Sequence, residues 1–275
     1  MSPPGRPKGE YGKAQPEGTP ASVHGLSALR ARLRPAFGTG TMWAAGLAGA
    51  GGVVAPGLLA GSAWPPLHAR CMAVTALSVS VAIAQARRTL DPAALSMPML
   101  ALAAWCLSAA APALIGGGDG GPWHGALAAV GLLALGLARD DGDTPAPAQH
   151  RDRAWTAFAV LALLVALPLL IVPGAVAPFW PWRLDAALVA QYASMFVAWS
   201  VAMWRLSRER RRYIRLPVVW GLLVWALGVL ASSLWHLSAF RWNGPSAWLW
   251  LAAFTTTGVL AALRIWPGRR LRGGP

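Results

Sequence analysis

Gln191 to Leu230 reads QYASMFVAWSVAMWRLSRERRRYIRLPVVWGLLVWALGVL, and this stretch decides the fold. From Gln191 to Trp204 there is no Asp, Glu, Lys or Arg, and the run is rich in Ala, Val and Met. Then Arg205, Arg208, Arg210, Arg211, Arg212 and Arg215 crowd around a single Glu209 before a second charge-free run begins at Leu216. A continuous apolar run excludes the alternating pattern of a membrane barrel, and in lipid only helices or closed barrels satisfy their own backbone groups. Two membrane helices joined by a short basic loop is the reading, and positive-inside bias assigns that loop to the cytoplasm.

Working outward, eight apolar windows follow the same plan: Thr41–Gly61, Leu67–Ala86, Met97–Ile115, Pro122–Ala138, Ala154–Val172, Ala186–Trp204, Leu216–Phe240 and Pro245–Leu263. Each is close to the roughly 20 residues that cross a hydrocarbon core of about 30 Å. With both termini cytoplasmic, all but three of the 24 Lys and Arg fall on the cytoplasmic side, leaving Arg70, Arg183 and Arg241 outside. An extra or missing helix would scramble this alternation from that point onward, so eight crossings are expected. The chain has 275 residues, 56% hydrophobic and only 12% charged, against about 25% charged in soluble domains. The formal charge of +14 then belongs to topology and anionic headgroups rather than to a nucleic acid. Sixteen Trp, against three Tyr and six Phe, suit the membrane boundary.

Residues 1–40 read as a basic, largely disordered cytoplasmic tail without a signal peptide. Leu26, Leu29 and Leu33 fall on one helical face before Pro35 stops the turn, which fits a short surface helix as the alternative to a basic tail that only fixes topology, and either Met1 or Met42 can be the start. A four-helix repeat is expected over 41–138 and 154–263, with a cytoplasmic linker at 139–153 and a basic tail at 264–275. A shift of 117 residues sets Pro56-Gly57 on Pro173-Gly174 and Leu67 on Leu184, while Gly121-Pro122 meets Gly244-Pro245 after small insertions. Each unit has an even number of crossings, so the two share one orientation about an axis along the membrane normal. The Trp-Pro-x-Leu-His-Ala-Arg stretch from Trp64 and the Phe-Trp-Pro-Trp-Arg-Leu-Asp-Ala stretch from Phe179 resemble an aromatic–proline edge motif of multi-pass bacterial inner-membrane proteins that are themselves functionally uncharacterised. That resemblance implies a bacterial inner-membrane setting and no activity.

Several motifs are set aside on context. The run Gly116 to Gly121 fits G-x-G-x-x-G, but it joins membrane helices instead of opening a βαβ unit. Asp140, Asp141 and Asp143 lack the further oxygen ligands of a Ca²⁺ loop. Cys71 and Cys106 differ in depth by roughly ten ångströms or more, too far to bridge. No catalytic residue and no cofactor is indicated.

Three sets of side chains remain as candidates. His68, His124 and His236 all fall on the outer side, where convergence would make a metal site. Gln191, Ser194, Ser232, Ser233 and His236, with Thr255, Thr256 and Thr257, offer an intramembrane polar face that glues helices or lines a solute path. The 117-residue shift also sets His68 on Asp185, with Trp64 and Trp180 shortly before, which gives a possible outward pocket near the axis. Since no Asp, Glu, Lys or Arg lies mid-window, a proton- or sodium-coupled pump is disfavoured. The reading that fits is a non-catalytic membrane component, a scaffold or assembly factor. A transporter or channel for a small neutral or apolar solute is the alternative, and a membrane enzyme with an outward metal or cofactor site the second. Anionic lipid at the arginine clusters is the expected partner.

Overall fold

The computed structural model describes residues 21–56, 65–89, 91, 93–115, 122–138 and 152–266. It is an all-α, multi-pass membrane-helix bundle. Its long helices are α1 (Ala21–Val54), α2 (Pro66–Arg88), α3 (Ala93–Ile115), α4 (Pro122–Ala138), α5 (Arg153–Ile171), α6 (Ala186–Arg208), α7 (Arg212–Trp235) and α8 (Pro245–Ile265). Six of them, α2, α3, α5, α6, α7 and α8, are long and apolar enough to cross a membrane; α4 is a shorter apolar helix. With 34 residues α1 has the length, and its glycines and threonines keep it less apolar. The Gly116–Gly121 turn, the acidic run at Asp140–Asp143, residues 1–20 and the end of the basic tail lie outside the described residues.

Start signals agree with local chemistry. Pro66 and Pro245 occupy first-turn positions, where a missing N–H costs nothing. Asp185 caps α6, its Oδ1 accepting from the Leu188 N–H at 2.8 Å. The helix α1 departs from expectation, because it runs unbroken through Pro35. An interior proline removes one backbone hydrogen bond and costs about 3 kcal/mol in isolation. Packing on both sides offsets this: Arg34 and Gly38 are buried, and Gly38 lies against Met99, Ile83 and Leu95.

Four helices make the centre. In α2 78% of the apolar window is buried and in α6 67%, against 22% in α5 and 33% in α8, so the last two are peripheral. Helix α2 packs between α1 and α7, while α6 packs between α5 and α3; α4 lies on α3 and α8 on α7. Small residues set these distances. A Cβ on Gly49 would stand 2.7 Å from the Leu77 nitrogen, and one on Gly228 would stand 2.6 Å from Val74 Cγ1. Close backbone approach through small residues is the main source of helix association in lipid, where apolar burial gives no driving force. Two hydroxyls add inter-helix hydrogen bonds: Ser80 of α2 donates to the Met42 carbonyl of α1 at 2.7 Å, and Ser200 of α6 to the Ala159 carbonyl of α5 at 2.8 Å.

The bundle has two unlike ends. One gathers Arg87, Arg88, the Arg205–Arg215 cluster and Arg264, and is called here the arginine-rich end. The other carries Arg70, Arg183 and Arg241 among Trp180, Trp182, Trp235 and Trp242, and is called the aromatic end.

Candidate functional site at the aromatic end

After α5 the chain makes a helical turn at Pro173–Val176 and a 3-10 turn at Ala177–Phe179, then runs extended into α6. After α7 a second 3-10 turn, Leu237–Ala239, leads toward α8. These two connections pair with each other. Trp182 and Phe240 form an antiparallel bridge, the Arg241 N–H donates to the Pro181 carbonyl at 2.7 Å, and Arg241 Nη1 donates to the Pro178 carbonyl at 2.6 Å.

Beneath this pair lies an aromatic cluster. Trp182 meets Trp250 edge to face at 4.9 Å, Trp180 meets Tyr192 at 4.9 Å, and Phe254 meets Trp250 at 4.6 Å. Trp250 Nε1 donates to the Ser233 hydroxyl at 3.0 Å, fixing α8 to α7. The buried indole nitrogens of Trp180 and Trp182 have no hydrogen-bond acceptor among the described residues. Sequence reading missed this cluster by treating the tryptophans as boundary anchors. The Trp180-Pro181-Trp182 run after an apolar window was the available signal.

The candidate side chains are thereby distributed. His68 is fully buried, with its Nε2 2.9 Å from the Gln191 Oε1 and its ring 4.9 Å from that of Tyr192. It joins α2 to α6 in the core, at the end where Asp185 acts as a helix cap. Helix α6 starts and ends 120 residues after α2, since Pro66 and Arg88 stand that far before Ala186 and Arg208. On the 117-residue shift His68, inside α2, meets Asp185, at the cap of α6. Trp64 lies outside the described residues.

The polar-face candidates do not share one surface. Gln191 bonds across to α2, Ser194 donates back to the Gln191 carbonyl at 2.7 Å, and Ser233 serves Trp250. Ser232 is buried on α7; Thr256 and Thr257 donate to carbonyls of their own helix. His236 caps α7 and accepts at Nε2 from Arg70 Nη1. Because a guanidinium only donates, this contact fixes the neutral His236 ring with its proton on Nδ1. Burial, and then the Arg70 charge, hold His236 below the ordinary histidine value of 6.5. His124 is half-buried at the start of α4. Among the described residues no group of three or more His, Cys, Asp or Glu converges as a metal site.

Arg70 also donates from Nε to the Val53 carbonyl at 3.1 Å and lies 4.9 Å over the Trp235 ring. It thus ties the ends of α1 and α7 to the start of α2. Between the two paired connections and the start of α2 opens a cavity of about 590 Å³, lined by Pro65, Pro66, Leu67, Trp182, Arg183 and His236 and by residues 238–243. No family model, no curated protein and no solved structure matches the chain.

Proposed function

We propose that this multi-pass membrane protein is a non-catalytic component of a bacterial inner membrane, a scaffold or assembly factor, crossing eight times with both ends cytoplasmic. The observation that carries the reading is the filled centre of the bundle. A Cβ on Gly221 would stand 2.9 Å from Ala82 Cβ, the Ser78 carbonyl oxygen and Trp199 Cη2 alike, so α7 closes on α2 and α6 at the level where a solute path would run. The alternative, a carrier of a small neutral or apolar solute, needs a site near the membrane mid-plane.

A two-repeat architecture belongs to the same proposal. Its support is that exchanging α1–α4 for α5–α8 maps the packing onto itself: α1·α2 onto α5·α6, α3·α4 onto α7·α8, and α2·α7 onto α6·α3. The Ser80–Met42 and Ser200–Ala159 bonds occupy corresponding places. Exposed Arg205, Arg208, Arg210 and Arg212 support contact with anionic headgroups on the cytoplasmic side. Reconstitution into liposomes tests the functional reading. The permeability to glycerol, urea and alkali cations should equal that of protein-free vesicles. A saturable flux of any of these would transfer the assignment to a carrier.

A further inference from the structure

The three arginines that break the charge alternation come together in space. Arg183 precedes α6, Arg241 follows α7, and both line the 590 Å³ cavity. Arg70 reaches the same cavity through His236, to which it is hydrogen-bonded. Placing positive charge on this side works against the bias that governs every other base in the chain, so the convergence calls for a local cause. Among the described residues no carboxylate forms an ion pair with any of the three. The nearest acid in sequence, Asp185, has one oxygen committed to the α6 cap.

We propose that this cavity binds a phosphate-bearing amphiphile. Arg183 and Arg241 supply charge-assisted donors to the phosphate oxygens, and Trp182, Phe240 and Trp242 cover the adjoining carbon skeleton. Each guanidinium has five N–H donors; Arg241 uses one on Pro178, leaving its remaining edge for the ligand. Arg70 acts behind His236, donating to its Nε2 and holding the ring as a neutral wall. The volume lies within the range of small-molecule sites, and aromatic walls with a few fixed polar groups are their usual lining. The site goes beyond the scaffold reading and rests on the topology proposed with it.

The shared chemistry is a phosphate ester, from a lipid headgroup or from a free metabolite, and the experiment separates them. Detergent-purified full-length protein is titrated with dioleoylphosphatidylglycerol by native mass spectrometry, and with glycerol phosphate and inorganic phosphate by calorimetry. Arg183→Gln is the primary variant, because that side chain is exposed and has no partner among the described residues, so its removal leaves the fold intact. Arg241→Gln is the second, and Arg210→Gln at the opposite end is the control. The tightest binding step should weaken about tenfold in Arg183→Gln, as loss of a charge-assisted hydrogen bond predicts. It should be partly kept in Arg183→Lys and unchanged in Arg210→Gln. The same arginine dependence for the water-soluble phosphates assigns a free ester; dependence seen with the lipid alone assigns a headgroup. Binding of every probe that is indifferent to Arg183 and Arg241 overturns the proposal.

Discussion

At the arginine-rich end carboxylates pair with three of the arginines, and at the aromatic end no such pair occurs among the described residues. Asp152 stands at the N-cap position of α5, yet its carboxylate goes to Arg215 at 3.1 Å and Arg264 at 3.0 Å. Its N–H donates to the Ser207 carbonyl at 2.9 Å, so one residue fastens the ends of α5, α6, α7 and α8. Beside it Glu209 takes two hydrogen bonds from Arg211, each at 3.0 Å. At the aromatic end Arg70 and Arg241 find carbonyls, a ring and a neutral histidine instead, and Arg183 is exposed. Internal carboxylates knit the helix ends together at the first end, while Arg205, Arg208, Arg210 and Arg212 stay exposed there. The second end is held by aromatic packing and keeps positive charge to spare.

The widest contrast to probe is sidedness. In intact cells a cysteine replacing Asn243 should react fully with an impermeant thiol reagent, and one replacing Arg210 should not react at all. The native Cys71 and Cys106 are buried and leave a quiet background. Labelling at Arg210 from outside would reverse the two ends. Next in size is Trp182→Ala, which removes a fully buried ring from the aromatic cluster. A loss of about 3–5 kcal/mol is expected in SDS-titrated unfolding. A loss below about 1 kcal/mol would show that backbone pairing, not ring packing, holds that end. Asp152→Asn should cost about 1–3 kcal/mol by the same measurement, because Arg215 and Arg264 lose a partly buried partner. Disappearance of the difference at high salt, through loss of the wild-type advantage, would mark the contact as mere surface attraction.

The smallest effect is in pH. His236 in the folded protein titrates below 6.5, so as pH falls beneath 6.5 the unfolded chain takes up the proton first. Stability at the aromatic end is then lost over that window, and His236→Gln should flatten it. For Glu209, burial raises the carboxyl, but the Arg211 hydrogen bonds outweigh it and hold the group below 4.5. Its contribution is present above 4.5 and lost only as pH falls through the lowered value, so the arginine-rich end should soften later in an acid titration. Melting curves of wild type, His236→Gln and Glu209→Gln from pH 7 to pH 3 compare the two. An identical acid profile in all three would remove the distinction.

The membrane character and the helix order were legible because lipid imposes length and apolarity on each segment separately. What escaped the sequence depends on partners far along the chain. His68 and Gln191 are 123 positions apart, and nothing local marks them as a pair. Asp152 read as part of a solvated linker, since its arginine partners belong to other helices. Pro35 read as a stop because local propensity cannot register the packing of Arg34 and Gly38. The gathering of Arg70, Arg183 and Arg241 was half visible: the charge count singled out the three residues, and only the fold put two of them on one cavity and the third behind its His236 wall.

The link between α6 and α7 spans just residues 209–211, yet these two helices touch each other only sparsely. Each packs instead on one helix of its own half and one of the first half, α6 on α5 and α3 and α7 on α8 and α2. During biogenesis α6 and α7 would therefore enter the bilayer as a hairpin whose arms have little hold on one another. Each arm gains its permanent neighbours from the helices that flank the pair in the chain and from the first half. Because the halves pack on each other through α2 with α7 and α3 with α6, severing the chain between α4 and α5 should yield two fragments that become protease-resistant only when made together.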